Sequence, residues 1–303
     1  MLASPPSVLR IMNDTLRGAA LMTGAMACFA VEDGLIKALS SSFPPAQIIW
    51  MLGLGGTSAF IASLALLGQP IWSPAYLNRQ VLLRSGAEVV GTCFFVSALA
   101  LIPLSLASAV LQATPLVVAM GAAVFLGARV GWRRWAAIVT GFGGVLLILR
   151  PGIEGFEPGV LLALAGMLGL AARDLVTRTM PPTVTGPRLS LHAFAALIPA
   201  GVVLQLAQDA PMVPPDATEV AILACCVAIG MGAYLAIVAA TRMGDIAVVS
   251  SFRYSRMLFA LVVGMLAFGE RPDGLTILGA AIVIGSGVYT LLREARVRAA
   301  SQA

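Results

Sequence analysis

With 303 residues, 59 % of them hydrophobic and 11 % charged, and a mean hydropathy of +0.95, the chain is far more apolar than soluble globular proteins. That composition excludes an ordinary soluble enzyme and points to a polytopic helical membrane protein. The net charge of +5 does not mark a nucleic-acid partner, because the arginines sit at the ends of apolar segments and not in one basic patch.

A helix needs about 20 apolar residues to cross the ~30 Å hydrocarbon core of a bilayer. Ten such segments are predicted, at 16–38, 46–68, 81–101, 104–126, 133–150, 159–178, 189–208, 218–241, 246–268 and 275–292. They use up most of the chain and leave no room for a soluble domain. The short alternating segments of a β-barrel do not occur. The first span carries Glu32, Asp33 and Lys37, the second Trp50, and the third Arg84, Glu88, Phe94 and Phe95. The fourth holds Gln112, Thr114 and Pro115, the sixth Arg173 and Asp174, and the eighth Tyr234. The ninth carries Phe252, Arg253, Tyr254 and Arg256. His192, the only histidine, opens the seventh and reads as interfacial.

The loops decide orientation. Arg10, Arg17, Arg79, Arg129, Arg133, Arg134, Arg178, Arg188, Arg242, Arg293, Arg296 and Arg298 fall in the termini or the even-numbered loops. The odd-numbered loops hold only Arg150 and Arg271, beside Glu154, Glu157, Asp209, Asp216, Glu270 and Asp273. This positive-inside bias predicts that both termini are cytoplasmic, in the inner membrane of a bacterium. Arg10 and Arg17 ahead of Ala25-Met26-Ala27 also resemble a signal peptide, but cleavage there would remove the partner of span 6. Cys28, Cys93, Cys225 and Cys226 lie inside spans, where they read as small apolar packing groups and match neither a zinc site nor a disulfide framework.

The chain also repeats itself at an offset of 141–143 residues. Glu32-Asp33-Gly34-Leu35-Ile36-Lys37 meets Arg173-Asp174-Leu175-Val176-Thr177-Arg178, and Gly91-Thr92-Cys93-Phe94-Phe95 meets Gly232-Ala233-Tyr234-Leu235-Ala236. Phe125-Leu126-Gly127-Ala128-Arg129 then meets Ala267-Phe268-Gly269-Glu270-Arg271, and Gly144-Val145 meets Gly287-Val288. Five spans per copy force the second copy to enter the membrane upside down, an arrangement that secondary transporters use. The predicted fold is an all-α polytopic membrane protein of two inverted five-helix repeats, residues 1–152 and 153–303, packed as one unit.

The run Pro103-Leu104-Ser105-Leu106-Ala107-Ser108-Ala109, then Thr114-Pro115-Leu116, Phe125-Leu126-Gly127 and Gly144-Val145-Leu146-Leu147, resembles the EamA repeat of the drug/metabolite transporter superfamily. The same frame recurs at Gly244-Asp245-Ile246-Ala247, Phe268-Gly269-Glu270-Arg271 and Gly287-Val288. In that family spans 4 and 9 usually end in Leu/Phe-Gly-Glu; the second copy keeps Phe268-Gly269-Glu270, whereas the first reads Leu126-Gly127-Ala128. The resemblance implies a ten-helix, alternating-access inner-membrane carrier of small metabolites such as amino acids, similar to bacterial aromatic amino-acid exporters.

A charge at a helix centre costs about 2.5–3.5 kcal/mol on insertion scales, so each intramembrane charge needs a partner or a watery cavity. Asp33 and Lys37, Arg84 and Glu88, and Asp174 and Arg178 are each four residues apart and stack on one helical face, as self-neutralised pairs or as side chains reaching the interface. Glu32, Asp33, Lys37 and Glu88 with Arg173 and Asp174 are read as a gating charge network, its two matched motifs at opposite mouths. Gln112 to Pro115 corresponds to Tyr254 to Met257 at an offset of 142. Pro115 removes a backbone donor there, marking a hinge whose freed carbonyl can bind ligand or merely a packing kink. Arg253 and Arg256, three residues apart, form a candidate carboxylate clamp; Arg256 or Arg253 could instead neutralise Glu88 or Asp33 across the bundle. Gln112, Thr114, Trp50, Phe94, Tyr234 and Tyr254 complete the substrate-binding candidates, the two tyrosines because a buried hydroxyl seeks a partner.

The expected partners are a small-molecule substrate, amino acid or similar, and the lipid bilayer; proton coupling and uniport both fit, and oligomeric state is open, a monomer sufficing. No cofactor, metal or nucleic acid is called for: the acids are scattered and no Gly-x4-Gly-Lys-Ser/Thr loop occurs. A carrier of S-adenosylmethionine, nucleosides or riboflavin-like precursors is the alternative. An intramembrane enzyme is a weaker one, since the sole histidine stands at a span end and no Gly-x-Ser-x-Gly elbow is present.

Overall fold

The computed structural model describes residues 8–302 apart from 128–130, 151–156, 181–184, 242 and 244–245. The motif positions Ala128, Arg129, Gly244 and Asp245, and the 152/153 repeat boundary, therefore lie outside the described residues. The elements are α1 (Val8–Leu39), α2 (Pro45–Leu66), α3 (Arg79–Leu101), α4 (Leu104–Leu111), α5 (Thr114–Phe125), α6 (Trp132–Leu149), α7 (Gly159–Thr177), α8 (Gly186–Ala207), α9 (Ala217–Ala240), α10 (Ile246–Ser251), α11 (Ser255–Phe268) and α12 (Gly274–Gln302). Among the described residues there is no strand.

These helices make the ten expected spans. Nine described segments are long and apolar enough to cross a membrane, and the tenth, Trp135–Leu149, is shorter because α6 opens on Trp132-Arg133-Arg134. Spans 4 and 9 are each broken: α4 and α5 share the fourth, and α10 and α11 share the ninth around a 3₁₀ turn, Phe252–Tyr254. Both α1 and α12 extend beyond the predicted spans, at Asn13-Asp14 and Arg293-Glu294, where the sequence turns polar but stays helical. Proline places several ends: Pro45 opens α2 and Pro103 separates α3 from α4, since its ring fixes φ and it has no amide to lose.

The packing carries a twofold pseudo-symmetry. Adding five to each span number turns the pair 1–8 into 6–3 and returns 2–7 and 5–10 to themselves; these four pairs are the most extensive in the molecule. Small residues bring them close, as packing in lipid demands. A Cβ on Gly169 of α7 would fall 2.6 Å from the Cα of Gly91 on α3. On α6 and α12, a Cβ on Gly144 or Gly279 would meet the other's carbonyl at 2.7 and 2.6 Å. Span 4 sits at the centre, mostly buried, and span 8 at the periphery, with few buried residues.

The symmetry is broken at the two mouths. On the face opposite the termini, α4 packs against α11, and α1 reaches both α3 and α4. The equivalent pairs on the terminal face, α5 with α10 and α7 with α9 and α10, have no comparable contact among the described residues. The far-face helices thus touch where their repeat-mates, among the described residues, do not comparably do so.

Candidate functional site

The breaks in spans 4 and 9 meet. Gln112, at the end of α4, donates from Nε2 to the carbonyl of Tyr254 at 2.7 Å, and the two residues are 142 apart in sequence. A residue that touches its own repeat-mate lies on the pseudo-symmetry axis. Gln112 and Tyr254 are both buried. Pro115 enters as the second residue of α5, and the carbonyl its missing amide would have served, Leu111 O, accepts from Thr114 Oγ1 at 2.6 Å. That carbonyl is satisfied within the chain and is not left open to a ligand. The hydroxyl of Tyr254 has no hydrogen-bond partner among the described residues and is aimed at Gly287 of α12.

Two charge clusters flank this crossing. On one side Arg256 of α11 donates to Asp33 Oδ2 of α1, from Nη2 at 2.6 Å and from Nε at 3.2 Å, while its guanidinium lies 5.1 Å from the Phe29 ring. Asp33 is 4 % exposed, so this is a buried ion pair across the bundle. Glu32 lies against Gly230 of α9, where a Cβ would come within 2.5 Å of Oε1, and it forms no hydrogen bond or ion pair among the described residues. On the other side Arg173 bridges Glu88 at 2.8 Å and Asp174 at 2.9 Å, and Arg84 reaches Glu88 at 3.2 Å. Arg84 also donates to the carbonyl of Leu189 on α8 at 3.1 Å, so this cluster joins spans 3, 6 and 7.

The two arginines of the predicted clamp have separate environments. Arg256 is occupied by Asp33. Arg253 is exposed, forms no hydrogen bond or ion pair among the described residues, and lies within electrostatic reach of Asp174 and Tyr254. The remaining aromatic candidates are scattered around the crossing. Tyr234 stacks edge-on against Phe60 at 6.2 Å with its hydroxyl at Gly186, between spans 2, 7 and 8. Trp50 donates from Nε1 to Gln205 at 2.7 Å, a contact between spans 2 and 7, and Phe94 is 40 % exposed.

Sequence reasoning missed the ties at the far face. Glu270 accepts from the amides of Leu104 and Ser105 at 2.5 and 2.9 Å and from Ser105 Oγ at 2.7 Å. Lys37 does not pair with Asp33; its ammonium donates to the carbonyls of Leu99 and Ile102 at 3.0 and 2.6 Å. Arg150 pairs with Asp273, which also accepts from Thr276 N at 2.8 Å as the N-cap of α12; these bonds hold the Asp273 carboxyl below the ordinary carboxylate range. His192 shares a hydrogen bond of 2.7 Å between Nδ1 and Ser85 Oγ, and Tyr76 lies 5.3 Å over its ring. Only the Leu/Phe-Gly-Glu motif could have pointed to Glu270.

The sequence profile of the EamA-like transporter family matches residues 16–150 and again residues 157–292. The chain belongs to the EamA-like transporter family. It is 29 % identical over 259 residues to a riboflavin transporter of Rhizobium johnstonii, covering 84 % of this chain and 83 % of that one. It is 26 % identical over 276 residues to the pseudopaline exporter CntI of Pseudomonas aeruginosa, covering 88 % and 93 %. To an S-adenosylmethionine uptake transporter of Rickettsia prowazekii it is 26 % identical over 196 residues, covering 65 % and 66 %. A solved crystal structure, 22 % identical, superposes with a TM-score of 0.61 over 93 % of this chain and 97 % of that one, a likeness of fold. The EamA repeat, matched twice over ten spans, makes this protein a multi-pass membrane transporter.

Proposed function

We propose that this protein is an alternating-access carrier of small metabolites in a bacterial inner membrane, its termini cytoplasmic, and that its substrates bear an amino-acid headgroup on an apolar or aromatic body. The observation that carries this reading is the pair of ionisable groups beside the crossing of the broken spans that form no hydrogen bond or ion pair among the described residues, Arg253 for a carboxylate and Glu32 for an amine. Aromatic groups near the crossing, Phe29 and Phe252 among them, supply an apolar wall. Amino acids, including aromatic ones, meet this description, and so does S-adenosylmethionine, whose methionine end is an α-amino acid and whose adenine is flat. A riboflavin-like substrate is a second reading, favoured by the similarity to the Rhizobium johnstonii transporter; it has the flat rings without the headgroup.

Counterflow into liposomes holding the purified protein separates these. Labelled aromatic amino acids, S-adenosylmethionine and riboflavin are screened against unlabelled competitors, with and without a pH gradient. Uptake of a headgroup-bearing substrate, lost in Arg253→Ala, supports the assignment. Uptake of riboflavin alone, indifferent to Arg253→Ala, transfers it to the second reading. Gradient dependence distinguishes proton coupling from facilitated exchange.

A further inference from the structure

We propose that Glu270 and Lys37 are positioning residues of the transport cycle: they latch the far-face gate by capping helix ends, and among the described residues the chain carries this latch on that face alone. The proposal rests on the alternating-access reading above.

A helix leaves its first amides and last carbonyls unpaired, positive at the N-terminus and negative at the C-terminus. The α4 helix begins after Pro103, whose side chain has no cap to offer. Its amides at Leu104 and Ser105 are served instead by the Glu270 carboxylate, more than 160 residues away on the loop that follows α11. Gly269 holds that loop in a left-handed turn (φ 63°), and the Glu270 amide closes back on Gly264 O at 3.0 Å, which aims the carboxylate at α4. Lys37, from α1, brings the opposite charge to the opposite kind of end, the last carbonyls of α3. Phe268 packs its ring 5.6 Å from the Lys37 ammonium. Spans 9 and 4, and spans 1 and 3, are thereby tied across the far face. A cleft of about 570 Å³ opens outside these ties, lined by Lys37, Glu157, Phe268 and Glu270.

The repeat supplies the comparison. The mate of Lys37 is Arg178, which is exposed and has no side-chain hydrogen bond or ion pair among the described residues. The mate of Glu270 is Ala128, which has no carboxylate to offer. The face whose helices are tied is the one that has both charges. In a cycle that closes the two mouths alternately, one latched gate biases the empty carrier toward the state open on the terminal face.

The test uses the full chain with its four cysteines replaced and spin labels at Ser41, after α1, and Leu101, at the end of α3; both are exposed. Pulsed dipolar distances are recorded in nanodiscs for this parent, for Glu270→Gln and for Ala128→Glu. Charge-assisted hydrogen bonds are strong enough that Glu270→Gln is expected to lower the ratio of short to long distances about tenfold. Ala128→Glu, which gives the first repeat the carboxylate that Glu270 supplies at the matching position of the second, is expected to shift the ratio the same way by a smaller factor. An unchanged distribution in both variants overturns the latch, even if counterflow is normal. A shift in both variants from a protein that transports none of the compounds screened upholds the latch and counts against the carrier reading.

Discussion

Removing Asp33 is the sharpest perturbation of the central site. Its side chain is 5 % exposed and that of Arg256 19 %, with two hydrogen bonds from the guanidinium to one carboxylate oxygen. Asp33→Ala leaves Arg256 in the bundle against the Phe29 face, a contact worth about 0.5–2 kcal/mol, with Glu32 within electrostatic reach. Breaking a buried pair by deleting one partner costs about 3–5 kcal/mol. For a chain of this length that corresponds to a fall of roughly 6–10 °C in the apparent thermal midpoint. Replacing both, as Asp33→Leu with Arg256→Met, removes the orphaned charge and is expected to recover most of the loss, because buried pairs are often no better than well-packed apolar substitutes. The assay is a double-mutant cycle of thermal unfolding in detergent, read alongside counterflow. If the single variants lose less than about 2 °C, or if their effects add without coupling, the two residues do not act as a buried unit. If the doubly apolar variant is stable yet does not transport, the pair belongs to the gate as well as to the scaffold.

Other consequences are more local. Arg253→Ala is expected to leave the thermal midpoint within about 1 °C, because the group forms no hydrogen bond or ion pair among the described residues, while raising the KM for a carboxylate substrate tenfold or more; thermal unfolding and counterflow at graded substrate concentration check the two. Gly169→Ala is expected to reduce folded yield and Gly230→Ala to leave it near normal, measured by size-exclusion recovery, since the first methyl meets the Gly91 backbone at 2.6 Å and the second meets the movable Glu32 side chain. Asp273→Ala is expected to cost about 1 kcal/mol as the loss of an N-cap and to flatten the acid side of the stability profile. The sign follows from a depressed folded pKa: the Asp273 contribution is full above the ordinary carboxylate pKa and is lost as pH falls below about 4, which unfolding scans between pH 3 and 7 resolve.

The spans were legible because lipid imposes one length and one composition on every crossing, and the predicted ends fall within a few residues of the helices except where α1 and α12 run on as polar helix. The offset of 142 between Gln112 and Tyr254 was legible too, and the hydrogen bond between them falls on it. Partner choice was harder to read. Lys37 sits four residues from Asp33, a spacing that favours a local pair, yet the far ends of α3 offer it two carbonyls, and Asp33 takes Arg256 from span 9 instead. Glu270 reads in sequence as one more loop acid. Its importance comes from Pro103, which starts a helix without a cap, and nothing near Pro103 in sequence reveals where the cap comes from. Thr114 was similarly hidden: the same proline that signals a free acceptor sits next to the hydroxyl that fills it.

The hydrogen bond between Gln112 and Tyr254 has a geometrical consequence for motion. Exchanging the conformations of two inverted repeats converts one open state into the other, and only points on the exchange axis stay where they are. In the alternating-access reading most contacts between the repeats are traded for their repeat-mates, whereas the residue pair Gln112 and Tyr254 maps onto itself. On that reading the crossing acts as a fulcrum, the place where the chain stays tightly packed while both mouths work.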